Sequence, residues 1–143
     1  KAKLIEECLN KRNMNIQESL EAAIAECQPQ NYIDHIKTIF FWYDAWFHTE
    51  DFNGCMFQKA VEEISKLYPS TIRPAIEYKE WLTGKLKTAL EGLGIQQAIQ
   101  LATLLASLLD GMTIQAQIDT NTVKIEDYWK RVQQLIQLEL LNA

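Results

Sequence analysis

The sequence predicts an all-α domain, a bundle of about six helices whose last two form a dimeric four-helix interface. Three observations carry this. Apolar residues recur at helical spacing along almost every segment, and no stretch shows the strict alternation of a half-buried strand. Pro29, Gly54, Pro69, Gly92 and Gly94 fall at the breaks between those segments. At 143 residues with 48% hydrophobic residues, the chain can bury one substantial core, so residues 1–143 are expected to form a single domain.

The first helix is expected from about Ala2 to Cys27, with Leu4, Cys8, Ile16, Leu20, Ala23, Ile24 and Cys27 as its apolar stripe and Pro29 and Asn31 ending it. The second, about Tyr32 to His48, contains FFWYDAWF (Phe40 to Phe47), in which six of eight residues are aromatic. At about 100° per residue, Tyr32, His35, Ile39, Trp42 and Trp46 share one side, and Ile36, Phe40, Tyr43 and Phe47 the adjacent one. An apolar arc that wide needs several neighbours to cover it.

HTEDFNG (His48 to Gly54) reads as a turn, followed by a third helix to about Leu67 with Phe57, Ala60, Val61, Ile64 and Leu67 on its apolar face. YPSTIRP (Tyr68 to Pro74) breaks the chain. Ser70 or Thr71 is placed to cap the fourth helix, and Pro74 is tolerated in its first turn. That helix carries Ala75, Tyr78, Trp81, Leu82, Leu86, Ala89 and Leu90, and Gly92 and Gly94 stop it. Between Ile95 and Leu109, in the fifth helix (about Ile95 to Ile118), ten of fifteen positions are apolar and surround the axis. A helix apolar all round is expected to be buried all round, in its own domain or against a second copy. DTNT (Asp119 to Thr122) supplies cap residues for the sixth helix, from about Val123 onward, with Glu126 and Asp127 in its first turn. The apolar surface of these last two helices points to a homodimer, two helices from each copy.

Charge and cysteine content narrow the function classes. Fourteen Lys+Arg against nineteen Asp+Glu give a net charge of −5, and only Arg12, Arg73 and Arg131 are arginines. Nucleic-acid binding by this chain alone is therefore not expected. Cys8, Cys27 and Cys55 are odd in number and form no CxxC, which suggests a reducing, cytoplasmic setting. Neither an uninterrupted apolar run of membrane-spanning length nor a signal-peptide pattern is present, so no membrane association is expected. The chain opens at Lys1 already in helical pattern, as a domain cut from a longer protein would.

No enzymatic chemistry is expected. His35 and His48 sit in no HExxH, ExxH or HxxxH pattern, and Asp44 with His48 reads as a solvated helix end rather than a metal site. No serine has a nucleophile-elbow context, and EGLG (Glu91 to Gly94) lacks the strand that gives a phosphate loop meaning. Neither a metal nor a cofactor is expected. Cys55, in the first turn of a helix, is either a thiol sensor activated by the helix dipole or an ordinary buried cysteine. The aromatic concentration is the strongest functional feature. Trp42 and Trp46, with Tyr78 and Trp81, are placed to wall a cavity for an apolar or aromatic ligand with His35 as polar handle; the alternative is a filled core.

The helix order, FNGCMFQKAVEEI (Phe52 to Ile64) and LATLLASLLDGMTIQAQID (Leu101 to Asp119) resemble the C-terminal regulatory domain of TetR-like transcriptional repressors over nearly the whole chain. In that family an N-terminal helix-turn-helix domain binds operator DNA, while the C-terminal helices bind a small effector and dimerise. No tri-helical basic segment precedes Lys1, so the resemblance implies the sensor half, with operator binding through an N-terminal domain absent from this chain. Leu101 to Ile118 and Ile125 to Leu140 match the dimer-forming helices. The expected interface is Leu101, Leu104, Leu108, Gly111, Gln115, Tyr128, Trp129, Val132 and Leu135, with Gly111 allowing close approach. The effector site, chosen from face assignment, is His35, Trp42, Trp46, Cys55, Tyr78, Trp81 and Met112. The rival functions are a stand-alone helical dimeric scaffold and a redox sensor acting through Cys55.

Overall fold

The computed structural model describes residues 1–142. They form six α-helices: α1 (Ala2–Ala25), α2 (Tyr32–Phe47), α3 (Met56–Glu63), α4 (Ile72–Gly92), α5 (Ala98–Ile118) and α6 (Ile125–Leu141). Two short 3-10 turns, Pro69–Thr71 and Thr120–Thr122, precede α4 and α6, and no strand occurs among the described residues. The chain is an all-α bundle.

α4 is the hub. It packs most extensively on α5 and also meets α1, α2 and α3. Leu82, Leu86 and Leu90 from α4 and Leu105 and Leu109 from α5 are fully buried between them, each stabilising the fold by roughly 1.5–3 kcal/mol. α2 crosses the middle of the bundle, touching α1, α4, α5 and α6. Its buried side is Ile36, Ile39, Phe40, Tyr43 and Phe47, and Phe40 meets Trp129 of α6 with ring centroids 6.1 Å apart.

The break after α4 is a Schellman motif. Gly94 N–H donates to Glu91 O at 2.9 Å and Ile95 N–H to Leu90 O at 3.1 Å, which needs Gly94 at φ +96°. Gly92 has a different role. A Cβ there would lie 2.6 Å from the Tyr32 ring, so its missing side chain sets how closely α2 approaches the end of α4. Pro74 stands buried in the first turn of α4 as expected.

Several expectations need correction. α3 stops at Glu63, where Ile64 leaves the helical region (φ −126°, ψ −12°), and residues 64–67 continue as turns; Pro69 keeps Tyr68 out of the helical region (φ −132°, ψ 77°), so no helix runs on through it. Thr71 occupies the N-cap position of α4 without capping it; its hydroxyl donates to Tyr68 O at 2.6 Å. Asp119 caps the Thr120–Thr122 turn, accepting from Asn121 N–H at 3.0 Å, and α6 starts after Lys124 without a side-chain cap. In α1 the buried stripe is Leu9, Asn13, Ile16 and Leu20, while Leu4 and Cys8 are exposed.

α5 is not buried all round. Leu104 is 54% and Ile118 75% exposed, while Leu101, Leu105 and Met112 face the core. Its 21 residues are apolar enough to cross a membrane by length and composition, and nearly half of them are buried inside the bundle.

Candidate functional site

The most apolar departure from a filled core is a half-open groove between α3 and the start of α4, about 430 Å³ in volume. Phe57 and Val61 form one wall, and Ile72, Ala75 and Ile76 the other. Glu62, Lys79 and Glu80 stand around it, and Cys55 lies at its inner end. An apolar recess with a few polar groups on its border is the usual make-up of a small-molecule site.

Local sequence explains the recess. α3 is only eight residues long and buries Phe57 and Ala60, so it covers just part of α4. Ile72 and Ile76, one turn apart, lie on a face of α4 that the main stripe (Ala75, Tyr78, Leu82) does not include, and Ile76 remains 48% exposed. Gly54, at φ +83°, brings the chain into Cys55, and a Cβ on it would collide with the Gln117 side chain of α5.

Behind the groove the bundle holds a polar cluster. The Phe57 ring stacks on Tyr78 with centroids 5.0 Å apart, and the Tyr78 hydroxyl is hydrogen-bonded to that of Tyr43 on α2. Both tyrosines are buried. Burial, foremost, pushes both phenols above their ordinary range, so the pair is neutral and serves as a hydrogen-bonded tie between α2 and α4. Lys79 donates to Asp110, joining α4 to α5 beside the groove. Burial also pushes the Cys55 thiol up, against the opposing pull of the Gln58 and Phe57 amides and the Lys79 cation. A thiol sensor needs the opposite shift.

The structure disperses the expected effector site. Cys55 lines the groove, and Tyr78 stands one ring behind it. Trp42 and Trp46 turn instead toward α1: Trp42 Nε1 donates to Ser19 Oγ at 2.8 Å, and the Arg12 guanidinium lies 5.8 Å from the Trp46 ring centre. Trp81 has Lys85 over its ring, and Lys85 is paired with Glu21 of α1 at 2.9 Å. His35 is at the far end of α2, its Nε2 3.0 Å from Gln28 O. Met112 is 1% exposed, inside the core. The physical reason is the choice of face: Ile36, Phe40, Tyr43 and Phe47 take the core side of α2, which leaves Trp42 and Trp46 on the α1 side.

The residues expected at a dimer interface divide in the same way. Leu101, Trp129 and Val132 are buried within the protomer, Trp129 because it packs on Phe40. Leu104, Gly111 and Gln115 are exposed, and Leu108, Tyr128 and Leu135 are half-buried. Nothing lies within 4 Å of where a Gly111 Cβ would stand.

Sequence reasoning missed Phe57 as a wall, together with Ile72, Ile76 and Lys79. The available signal was the Ile72/Ile76 pair, an apolar step outside the stripe assigned to α4. Asp44 and His48 form a helix-end contact, His48 Nδ1 being 2.8 Å from Asp44 O, and among the described residues no group of three His, Cys, Asp or Glu side chains is placed to hold a metal ion. In comparison with known proteins, the chain matches no family model, no curated protein and no solved structure.

Proposed function

We propose that this chain is the effector-sensing and dimerisation domain of a TetR-like transcriptional regulator, taking a small apolar or aromatic effector in the α3–α4 groove. The observation that carries this reading is the groove itself: an apolar recess next to a buried tyrosine pair that ties α2 to α4 and a half-exposed Lys79–Asp110 pair that ties α4 to α5. The helix order and the Phe52–Ile64 and Leu101–Asp119 segments supply the family part of the proposal.

The groove is placed to influence α1. Pro69–Thr71, which packs against α1, leads directly into Ile72 on the groove wall. An occupant that separates α3 from the start of α4 displaces this turn and α1 with it. In the full regulator α1 would connect to the DNA-binding domain, so occupancy shifts the population toward a dimer whose recognition helices no longer match adjacent half-sites.

The dimer face in this reading is the exposed side of α5. Leu104, Leu108, Gly111, Gln115 and Ile118 recur at steps of four and three residues, the spacing of a helix–helix seam. Asp110 is the one charged residue of α5 and is held by Lys79, which leaves the exposed face free of charge. Depletion of charge at the centre of an apolar patch is what an interface core requires. The raised Cys55 thiol disfavours the redox-sensor alternative, while a scaffold dimer would share the α5 face but have no use for the groove.

The test is thermal unfolding against a panel of apolar and planar aromatic compounds, in wild type, Ile76→Glu and Val61→Trp. A compound present at about 100 times its Kd stabilises by about 2.7 kcal/mol, a clear rise in Tm that the groove variants abolish. Stabilisation that survives both substitutions moves the site elsewhere. Binding that leaves the operator affinity of the full regulator unchanged overturns the sensing role.

A further inference from the structure

On the opposite side of α3 from the groove, a second cavity of about 500 Å³ opens where α1, the end of α2 and the start of α3 meet. Its chemistry differs from that of the groove. Arg12 reaches it from α1, Trp46 and Thr49 from the end of α2, Asp51 from the following turn, and Lys59 from α3. Arg12 lies over the Trp46 ring, and Phe52 meets that ring edge-on with centroids 5.0 Å apart, so the indole is fixed in place. Among the described residues no carboxylate lies within 4.0 Å of the Arg12 or Lys59 cation.

Two unpaired cations converging on one recess are conspicuous in a chain with net charge −5. The guanidinium presents a planar fork that suits an oxyanion, and the lysine adds a point charge. Asp51 at the same rim cancels one of the two positive charges, which leaves room for a single negative charge. The indole edge and Met56 supply an apolar surface next to it. We propose that this cavity binds a small organic monoanion: an oxyanion group on Arg12 and Lys59, with a compact apolar body against Trp46 and Met56. Bound there, the ligand bridges α1 to α3, the helix that also forms a wall of the groove. The inference rests on the cavity alone and stands whether or not the groove takes an effector.

Benzoate is the probe, followed by the indole Nε1–H resonance of Trp46 (assigned with Trp46→Phe) and the Nε–H resonance of Arg12 as the anion is titrated into the 15N-labelled chain. Benzyl alcohol and benzylamine, of similar shape but neutral or cationic, are the controls. The expected result is a saturable shift with benzoate and none with either control. Arg12→Gln and Lys59→Gln each weaken binding about tenfold, the loss of one charge-assisted hydrogen bond. Asp51→Asn strengthens it, and added salt weakens it. The opposite signs at Asp51 and Lys59 separate recognition of charge from a fold defect. Shifts that do not saturate, equal shifts with benzyl alcohol, or unchanged binding in both Arg12→Gln and Lys59→Gln would overturn the proposal.

Discussion

Replacing Tyr78 with phenylalanine tests the polar cluster behind the groove. Tyr43 and Tyr78 are 3% and 4% exposed, and their hydroxyls are bonded to each other with no other side-chain partner among the described residues. Phenylalanine keeps the ring and its stack on Phe57, so the packing term is nearly unchanged. What changes is that the Tyr43 hydroxyl becomes a buried polar group without a partner, which costs about 1–3 kcal/mol. Tyr43→Phe has the same consequence for Tyr78. The double variant removes both hydroxyls, leaves neither group orphaned, and is near neutral by the same reasoning. The expected result is two destabilised single variants and a double variant whose loss is smaller than the sum by about 1–3 kcal/mol. Urea unfolding at one fixed protein concentration, followed by circular dichroism and tryptophan fluorescence, measures all four proteins; the slope m should stay constant across the cycle. Additive losses, or single variants as stable as wild type, would refute the view that the two hydroxyls satisfy each other.

Tyr43, Tyr78 and Cys55 all have pKa values raised by burial, so their contribution is fully present at neutral pH and is lost as pH rises past the unfolded-chain values of about 8.5 for Cys and 10 for Tyr. Stability measured against pH should therefore be flat near 7 and fall in alkali, less steeply in Tyr43→Phe/Tyr78→Phe; an equal fall in both proteins would contradict this. Native-state alkylation with iodoacetamide should label exposed Cys8 well before Cys55, and Cys55 reacting as fast as Cys8 would restore the thiol-sensor reading. Gly84→Ala and Gly94→Ala should change stability in opposite directions although a new Cβ meets nothing within 4 Å at either site. Gly84 is helical, and alanine there should stabilise by about 0.5–1 kcal/mol. Gly94 has φ +96°, and alanine there should destabilise by about 1–2 kcal/mol.

The order and type of the six helices follow from apolar periodicity, Pro74 and the Gly92–Gly94 break, all local features that tertiary packing did not override. The core-facing side of a helix is ambiguous in the sequence where its apolar arc is wide. On α2 the 3.6-residue period places Trp42, Trp46, Phe40 and Tyr43 on adjacent sides, and periodicity alone does not say which side meets α1 and which the core. Packing decided it through Phe40 against Trp129 and Tyr43 against Tyr78, contacts between residues 89 and 35 positions apart in the chain. The same ambiguity placed Leu101, Trp129 and Val132 at a surface they do not reach. Asp119 caps a 3-10 turn rather than α6, a distinction hidden in the sequence because both structures ask for the same side chain at their first position. The groove depends on what α3 fails to cover, and a sequence pattern records the residues of a helix but not the space beside it.

The proposed regulator works only as a dimer, here through the charge-free face of α5, and native mass spectrometry of wild type and Leu104→Arg tests that directly. Leu104 is 54% exposed, so the substitution should leave the protomer folded. The predicted result is a wild-type species near twice 16.6 kDa and a Leu104→Arg species near the single-chain mass with unchanged helical content. A wild-type chain that is monomeric at micromolar concentration, or a Leu104→Arg variant that remains dimeric, would contradict it.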